Sequence, residues 1–257
     1  MKYTLITDIG NSQIEFAIFD DETLVGKTRF RTSKINSEYD EKLLKNFIKE
    51  SKIDPKDITG GMIFSVVPHI TRLVQIIIKG EIGVELPIFK PSQLKEFKAN
   101  VDDEAEIGQD LIADIIGAIH EVGAPCVIAD LGTVTKNIII DKDGVFQGVS
   151  FFPGLRSNAR SLSENTAILP ELKKIEKPSN FYGKNTIDAM TSGIYYSHAS
   201  AIKRFMERTQ EEFGYKFNKV ITGGYSNILE GEVDKNTLID PDLVLKGMNL
   251  ILKYHLK

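Results

Sequence analysis

The chain contains its own opening twice. Leu5-Ile6-Thr7-Asp8-Ile9-Gly10-Asn11-Ser12 aligns without a gap on Val127-Ile128-Ala129-Asp130-Leu131-Gly132-Thr133-Val134, each an apolar run ending in Asp-x-Gly. The same register continues through Ile18 with Ile140, Asp21 with Asp143, Gly26 with Gly148 and Phe30 with Phe152. A direct repeat offset by roughly 120 residues reads as an internal duplication, not a short-period solenoid. Two lobes of about 120 residues suit a chain of this length. The turn at Gly123-Ala124-Pro125 is the expected boundary, giving lobes 1–122 and 123–257.

The pattern inside each lobe is α/β. The first opens with a strand at Tyr3 to Thr7, a tight turn at Asp8 to Ser12 and a strand at Gln13 to Phe19. A third strand is expected at Leu24 to Arg31. Leu43, Leu44, Phe47 and Ile48 share one face of a helix expected over Ser37 to Lys52. Met62 to Val66 reads as a buried strand, and Pro68 opens the next helix. Leu111 to Val122 is a helix ended by Gly123. The second lobe adds a short helix to Ser163, an irregular stretch to Lys184 and a long helix from Ile187 to Phe213. It closes with a strand at Lys219 to Ile221 and a helix from Pro241 to Tyr254.

Composition narrows the partners. The chain is 42% apolar and 26% charged, with a net charge of −4, and it has no basic stripe to follow a phosphate backbone. Nucleic acid is therefore not an expected partner. The N-terminal residues run straight into a strand pattern, unlike a signal peptide, and no apolar run approaches the ~20 residues of a membrane helix. A cytoplasmic protein with no membrane partner is expected. The single cysteine, Cys126, excludes a disulfide framework; it is either a reactive thiol or a small buried hydrophobe on a strand. The four histidines lack metal-ligand spacing.

The chemistry should lie at the repeated turns. Gly10 lets the chain approach an anion closely, and the backbone N–H groups and hydroxyls of Asp8 to Ser12 can surround a phosphate. Asp8 would repel that phosphate, so its natural task is to hold Mg²⁺, through water. One such turn is equally well a plain Asp-Gly hairpin. Two at equivalent places, in Asp130-Leu131-Gly132-Thr133, can grip one nucleotide from opposite sides. Thr222-Gly223-Gly224 before a short helix supplies a third close approach. This combination resembles the actin-like ATPase (ribonuclease H-like) superfamily, which includes sugar kinases. It implies two duplicated lobes with a nucleotide cleft between them. A kinase also needs a carboxylate to take the acceptor's proton. Asp110, after Gly108, is the candidate, and Asp114, one turn on, is its rival; Asp at a helix start is also favoured simply by capping.

The full series of motifs resembles the type III pantothenate kinases. It runs through Asp8-Ile9-Gly10-Asn11-Ser12, Ser65-Val66-Val67-Pro68, Gly108-Gln109-Asp110, Asp130-Leu131-Gly132-Thr133 and Pro153-Gly154-Leu155. It continues with Thr166-Ala167-Ile168-Leu169-Pro170, Gly183-Lys184-Asn185-Thr186 and Thr222-Gly223-Gly224. The resemblance implies ATP-dependent phosphorylation of pantothenate to 4'-phosphopantothenate, the first step of coenzyme A biosynthesis. By it, Asp8, Ile9, Gly10, Asn11, Ser12, Gln13, Ile14 and Glu15 form the first ATP phosphate loop, and Thr133 belongs to the second. Asp110 is the proton acceptor, Gly108, Gln109, Asp110, Leu111 and Thr186 border pantothenate, and Asp130 binds a monovalent cation, K⁺ or NH₄⁺. A homodimer is also implied.

Four departures stand out, one of them Val101 where the family carries a Tyr a few residues before Gly108. Leu111 replaces an Arg that would contact the pantothenate carboxylate. Lys136 stands where the family prefers Thr, and Gln147-Gly148 replaces a Gly-Gly. The loss of a charged contact of this kind costs roughly 1.5–3 kcal/mol. Lys136 or Arg156 are the cations that could stand in. Two alternatives follow: a kinase of this fold with another small-molecule acceptor, or a nucleotide-binding regulatory protein without catalysis.

Overall fold

Apolar runs near the N-terminus form three successive antiparallel strands, β1 (Tyr3–Ile9), β2 (Gln13–Asp20) and β3 (Thr23–Arg31). The computed structural model describes residues 2–32 and 37–256. β4 (Ile58–Ser65) joins β1 in parallel, so the sheet runs β3-β2-β1-β4. A parallel neighbour demands a crossover, and helix α1 (Ser37–Glu50) lies within it. Helix α2 (Pro68–Ile82) begins with the expected proline and ends at Gly83 in the left-handed region. Leu5, Ile9, Phe16 and Ile18 of the strands pack with Leu44, Phe47, Val74 and Ile78 of the helices. Edge strand β3 has no fully buried residue and carries Lys27, Arg29 and Arg31, which discourage further strand pairing.

The second sheet repeats the plan. β5 (Cys126–Leu131), β6 (Val134–Ile140) and β7 (Phe146–Pro153) are antiparallel, and β8 (Asn218–Thr222) is parallel to β5. With the short β9 (Leu238–Ile239), the order is β7-β6-β5-β8-β9. Helices α4 (Leu155–Glu164) and α5 (Thr186–Phe213) lie in the crossover from β7 to β8. Val127, Ala129, Leu155, Ile194, Tyr195 and Ile202 form the core here. Cys126 is fully buried, and burial pushes its thiol up to about 12, so the small-hydrophobe reading holds. Among the described residues no helix is long and apolar enough to cross a membrane.

Strand registers confirm the duplication and correct one detail of it. Asp8 pairs with Glu15 across β1–β2, whereas Asp130 pairs with Lys136 across β5–β6. The second hairpin turn is one residue shorter, so Ile18 matches Ile139 and not Ile140. An extra residue at the next turn restores the offset, and Gly26 and Gly148 face those two isoleucines. A register shift falls at the same point in both sheets, between Ile18 and Phe19 and between Ile139 and Ile140. A shared irregularity at matched positions is strong evidence for common origin, because bulges are positioned features.

Two compact units emerge. The first comprises Met1–Phe97, Ala105–Gly117 and Leu245–Lys257; the second comprises Lys98–Glu104 and Ala118–Val244. The division falls inside helix α3 (Gln109–Val122), a few residues before the turn that marks it in the sequence. The C-terminal residues belong with the first unit for identifiable reasons. Helix α6 (Leu243–Leu250) meets α3 where Gly247 lies against the carbonyl of Ala113, with no room for a side chain. Thr4 Oγ1 donates to Asn249 Oδ1 at 3.2 Å, and Asn249 Nδ2 donates to the carbonyl of Asp21 at 2.8 Å.

Candidate active site

In the first unit the predicted residues gather at the carboxyl ends of the parallel pair β1 and β4, where open α/β sheets bind ligands. Asp8 and Glu15 are directly opposite across β1–β2 and therefore share a face. Both are half-buried, while Asn11, Ser12 and Gln13 at the turn are exposed. The turn is closed by the Gly10 N–H donating to the carbonyl of Gln13 at 2.9 Å. Thr32 braces it from β3's end, with Oγ1 donating to Gly10 O at 2.7 Å and N–H to Ser12 O at 3.1 Å. Ile9 and Ile14 are fully buried, so only their backbones can serve a phosphate. Glu15 is 3.5 Å from Arg29.

Ser65, at the end of β4, is the neighbour of Ile9 and links this turn to α3. Its N–H donates to Gln109 Oε1 at 3.2 Å, and its hydroxyl lies 2.6 Å from Thr71 Oγ1 and accepts from the Val67 N–H at 3.1 Å. Gln109 is thus committed to holding the start of α3 against the strand end. Asp110 follows it, half-buried, with Oδ1 accepting from the Leu111 N–H at 3.0 Å. Gly108 has a reason beyond ligand access: a Cβ there would lie 2.5 Å from Asp110 Oδ1. The glycine makes room for the carboxylate to fold back over the helix start. Asp114 is fully buried, so of the two acids only Asp110 can meet a substrate. Leu111 is only 6% exposed and joins the core of the unit.

In the second unit, Asp130 and Thr222 are partners at the carboxyl ends of β5 and β8. Thr133 is exposed at the turn, and its carbonyl accepts from the Gly154 N–H at 3.1 Å and from Ser157 Oγ at 2.7 Å. Gly154 has φ −65 and ψ 167, which any residue can adopt; what excludes a side chain is a contact. A Cβ there would lie 2.2 Å from Gly132 O and 2.7 Å from Thr133 O. Gly223 is different, since φ +88 and a Cβ position 2.5 Å from Asp130 Oδ1 both require glycine. The helix expected after Thr222-Gly223-Gly224 is one 3-10 turn, Ser226–Leu229, too short to offer the dipole of an α-helix.

Lys136 carries the main surprise. Its Nζ is 2.6 Å from Asp130 Oδ2, with side chains 14% and 13% exposed. The residue assigned to a monovalent cation is already charge-paired by the chain itself, so the site does not fit the expected K⁺ or NH₄⁺. The pairing follows from the register of β5–β6, which a gapless alignment of the repeats shifts by one residue. It also removes Lys136 as a substitute for the missing arginine, leaving the exposed Arg156 on α4. Thr186 is the exposed first residue of α5, whose N-cap Asn185 accepts from the Asp188 N–H at 2.9 Å. Beside it a cavity of about 510 Å³ is lined by Leu172, Lys173, Tyr182, Ile187 and Thr191. Among the described residues no three His, Cys, Asp or Glu side chains converge as a metal site.

A family model for type III pantothenate kinase matches residues 4–208. A type III pantothenate kinase of Agathobacter rectalis is 33% identical over 253 residues, covering 97% of this chain and 96% of its own. That of Dictyoglomus turgidum is 33% identical over 247 residues, covering 95% and 96%. A solved Campylobacter jejuni structure, assigned to the Baf family of transcriptional activators, superposes with a TM-score of 0.60 at 18% identity over 97% of both chains. Component A of the (R)-2-hydroxyglutaryl-CoA dehydratase of Acidaminococcus fermentans gives 0.51 at 12% identity, covering 97% and 95%. At such identities the two structures speak to the fold alone.

Proposed function

Because the chain belongs to the type III pantothenate kinase family, we propose that it transfers the γ-phosphoryl group of ATP to pantothenate, giving 4'-phosphopantothenate and ADP. The observation that carries the mechanism is the half-buried Asp110, folded over Gly108 at the start of a helix that Gln109 ties to the strand end beside the Asp8 turn. The acceptor hydroxyl oxygen forms a bond to the γ-phosphorus while the bond from that phosphorus to the β–γ bridging oxygen breaks. ADP leaves with the bridging oxygen, and the hydroxyl proton passes to Asp110.

The backbone N–H groups of Asn11 and Ser12, in the turn that the Gly10 N–H closes, serve the phosphates, with the Ser12 hydroxyl beside them, and Thr133 serves them from the second hairpin. Asp8, half-buried at the end of β1, suits a divalent cation held through water; bound Mg²⁺ would neutralise charge developing on the β- and γ-oxygens. Gln109 positions Asp110. Thr186, at the start of α5, contacts pantothenate. The enzyme is assigned to the cytoplasm as a homodimer.

A coupled ADP-release assay with pantothenate and Mg-ATP tests this reading. Pantothenate-dependent ADP release that disappears in Asp110→Asn is the expected result. Release that ignores pantothenate, at any concentration, would sink the acceptor assignment. Leu111 gives a second acceptor a specific motive, since no guanidinium stands at that position for a carboxylate; an acceptor without a carboxylate would then be sought with the same assay.

A further inference from the structure

The two hairpins match in backbone but differ in charge where it counts. At the first, Asp8 faces Glu15, and at the second, Asp130 faces Lys136. The Lys136 ammonium is not a surface cation that happens to lie near an acid. Direct cross-strand pairing brings it onto the same face as Asp130, and the two charged atoms are 2.6 Å apart with both side chains largely buried. On its other side the Asp130 carboxylate is walled by Gly223, where a side chain would lie 2.5 Å from Oδ1. A free monovalent cation at Asp130 would have to displace that ammonium or stand beside a like charge in a poorly solvated place. A lysine head also brings the same chemistry as an ammonium ion: one positive charge and N–H donors.

We propose that Lys136 is a tethered replacement for the monovalent cation, so that nucleotide binding and phosphoryl transfer in this protein do not depend on potassium or ammonium ions. The inference rests on the kinase reading for its turnover arm, but its binding arm stands without it. The register of β5–β6 supplies the cation, which costs no ion-binding equilibrium.

The test measures Mg-ADP affinity by calorimetry, and pantothenate-dependent ADP release, in sodium, potassium, ammonium and tetramethylammonium chloride at equal ionic strength. For the wild-type chain both quantities should agree within about twofold across the four salts. Lys136→Thr should bind Mg-ADP roughly 10- to 100-fold more weakly in tetramethylammonium, and potassium or ammonium should restore most of the loss. Lys136→Arg should remain indifferent to the salt. Wild-type affinity or turnover that requires potassium or ammonium would overturn the proposal, as would a folded Lys136→Thr whose affinity does not respond to them. If that variant does not fold, the wild-type salt series alone decides. A chain that binds Mg-ADP equally in all four salts yet ignores pantothenate would contradict the acceptor assignment and leave this inference supported.

Discussion

The carboxylates of Asp110 and Asp114 have the same chemistry but unequal access, one half-buried at the helix start and the other sealed in the core. Asp110→Asn keeps the Oδ1 acceptor that the Leu111 N–H uses, so the fold should survive. It removes the proposed proton acceptor, and kcat should fall about 10²- to 10⁴-fold while Mg-ATP affinity, read by calorimetry, stays within a few-fold. His198, fully interior on α5, offers a pH prediction. Its Nε2 is 2.8 Å from Thr135 Oγ1, its ring centroid is 4.7 Å from that of Phe152, and desolvation lowers its pKa to about 4. A neutral buried imidazole means that the unfolded chain takes up a proton first as pH falls. Its contribution is therefore intact above about pH 6.5 and lost progressively down to about pH 4, some 3 kcal/mol in all. Urea denaturation at pH 7.5 and 5 should show about 2 kcal/mol of this loss in the wild type, and less in His198→Gln.

The hairpins are where elements govern the chemistry. Gly154 lets the start of α4 press against the turn that carries Thr133, and any Cβ would push on Gly132 O and Thr133 O. Gly154→Ala should shift that turn at a cost of about 1–3 kcal/mol, seen as a lower Tm and a raised KM for ATP with KM for pantothenate less affected. An unchanged KM for ATP would remove the turn from the phosphate site. These hairpins also mark what a sequence can reveal. The strands and the repeated Asp-x-Gly turns were legible because apolar periodicity and turn chemistry are local signals. The middle-strand register was not, since a residue lost at the turn before β6 is regained before β7 and the outer matches at Gly26 and Gly148 stay aligned. That hidden shift concealed the opposition of Lys136 and Asp130. The tight approach at Gly154 and the burial of Asp114 are tertiary facts without any local signature.

At the scale of the whole molecule, the two units repeat one sheet plan, β3-β2-β1-β4 in the first and β7-β6-β5-β8 in the second. Phe151, Ile168, Phe181 and Tyr182 are 59%, 89%, 72% and 66% exposed, an apolar burden that a second copy of the chain would relieve. Light scattering coupled to gel filtration should give twice the chain mass, and Phe181→Asp with Ile168→Asp should move it toward a monomer. The central claim is that this chain phosphorylates pantothenate, and the most direct measurement is mass spectrometry of the product formed from pantothenate and Mg-ATP. The account predicts pantothenate carrying one added phosphoryl group, formed in step with ADP and absent with Asp110→Asn. Unmodified pantothenate beside a folded, ATP-binding protein would contradict it.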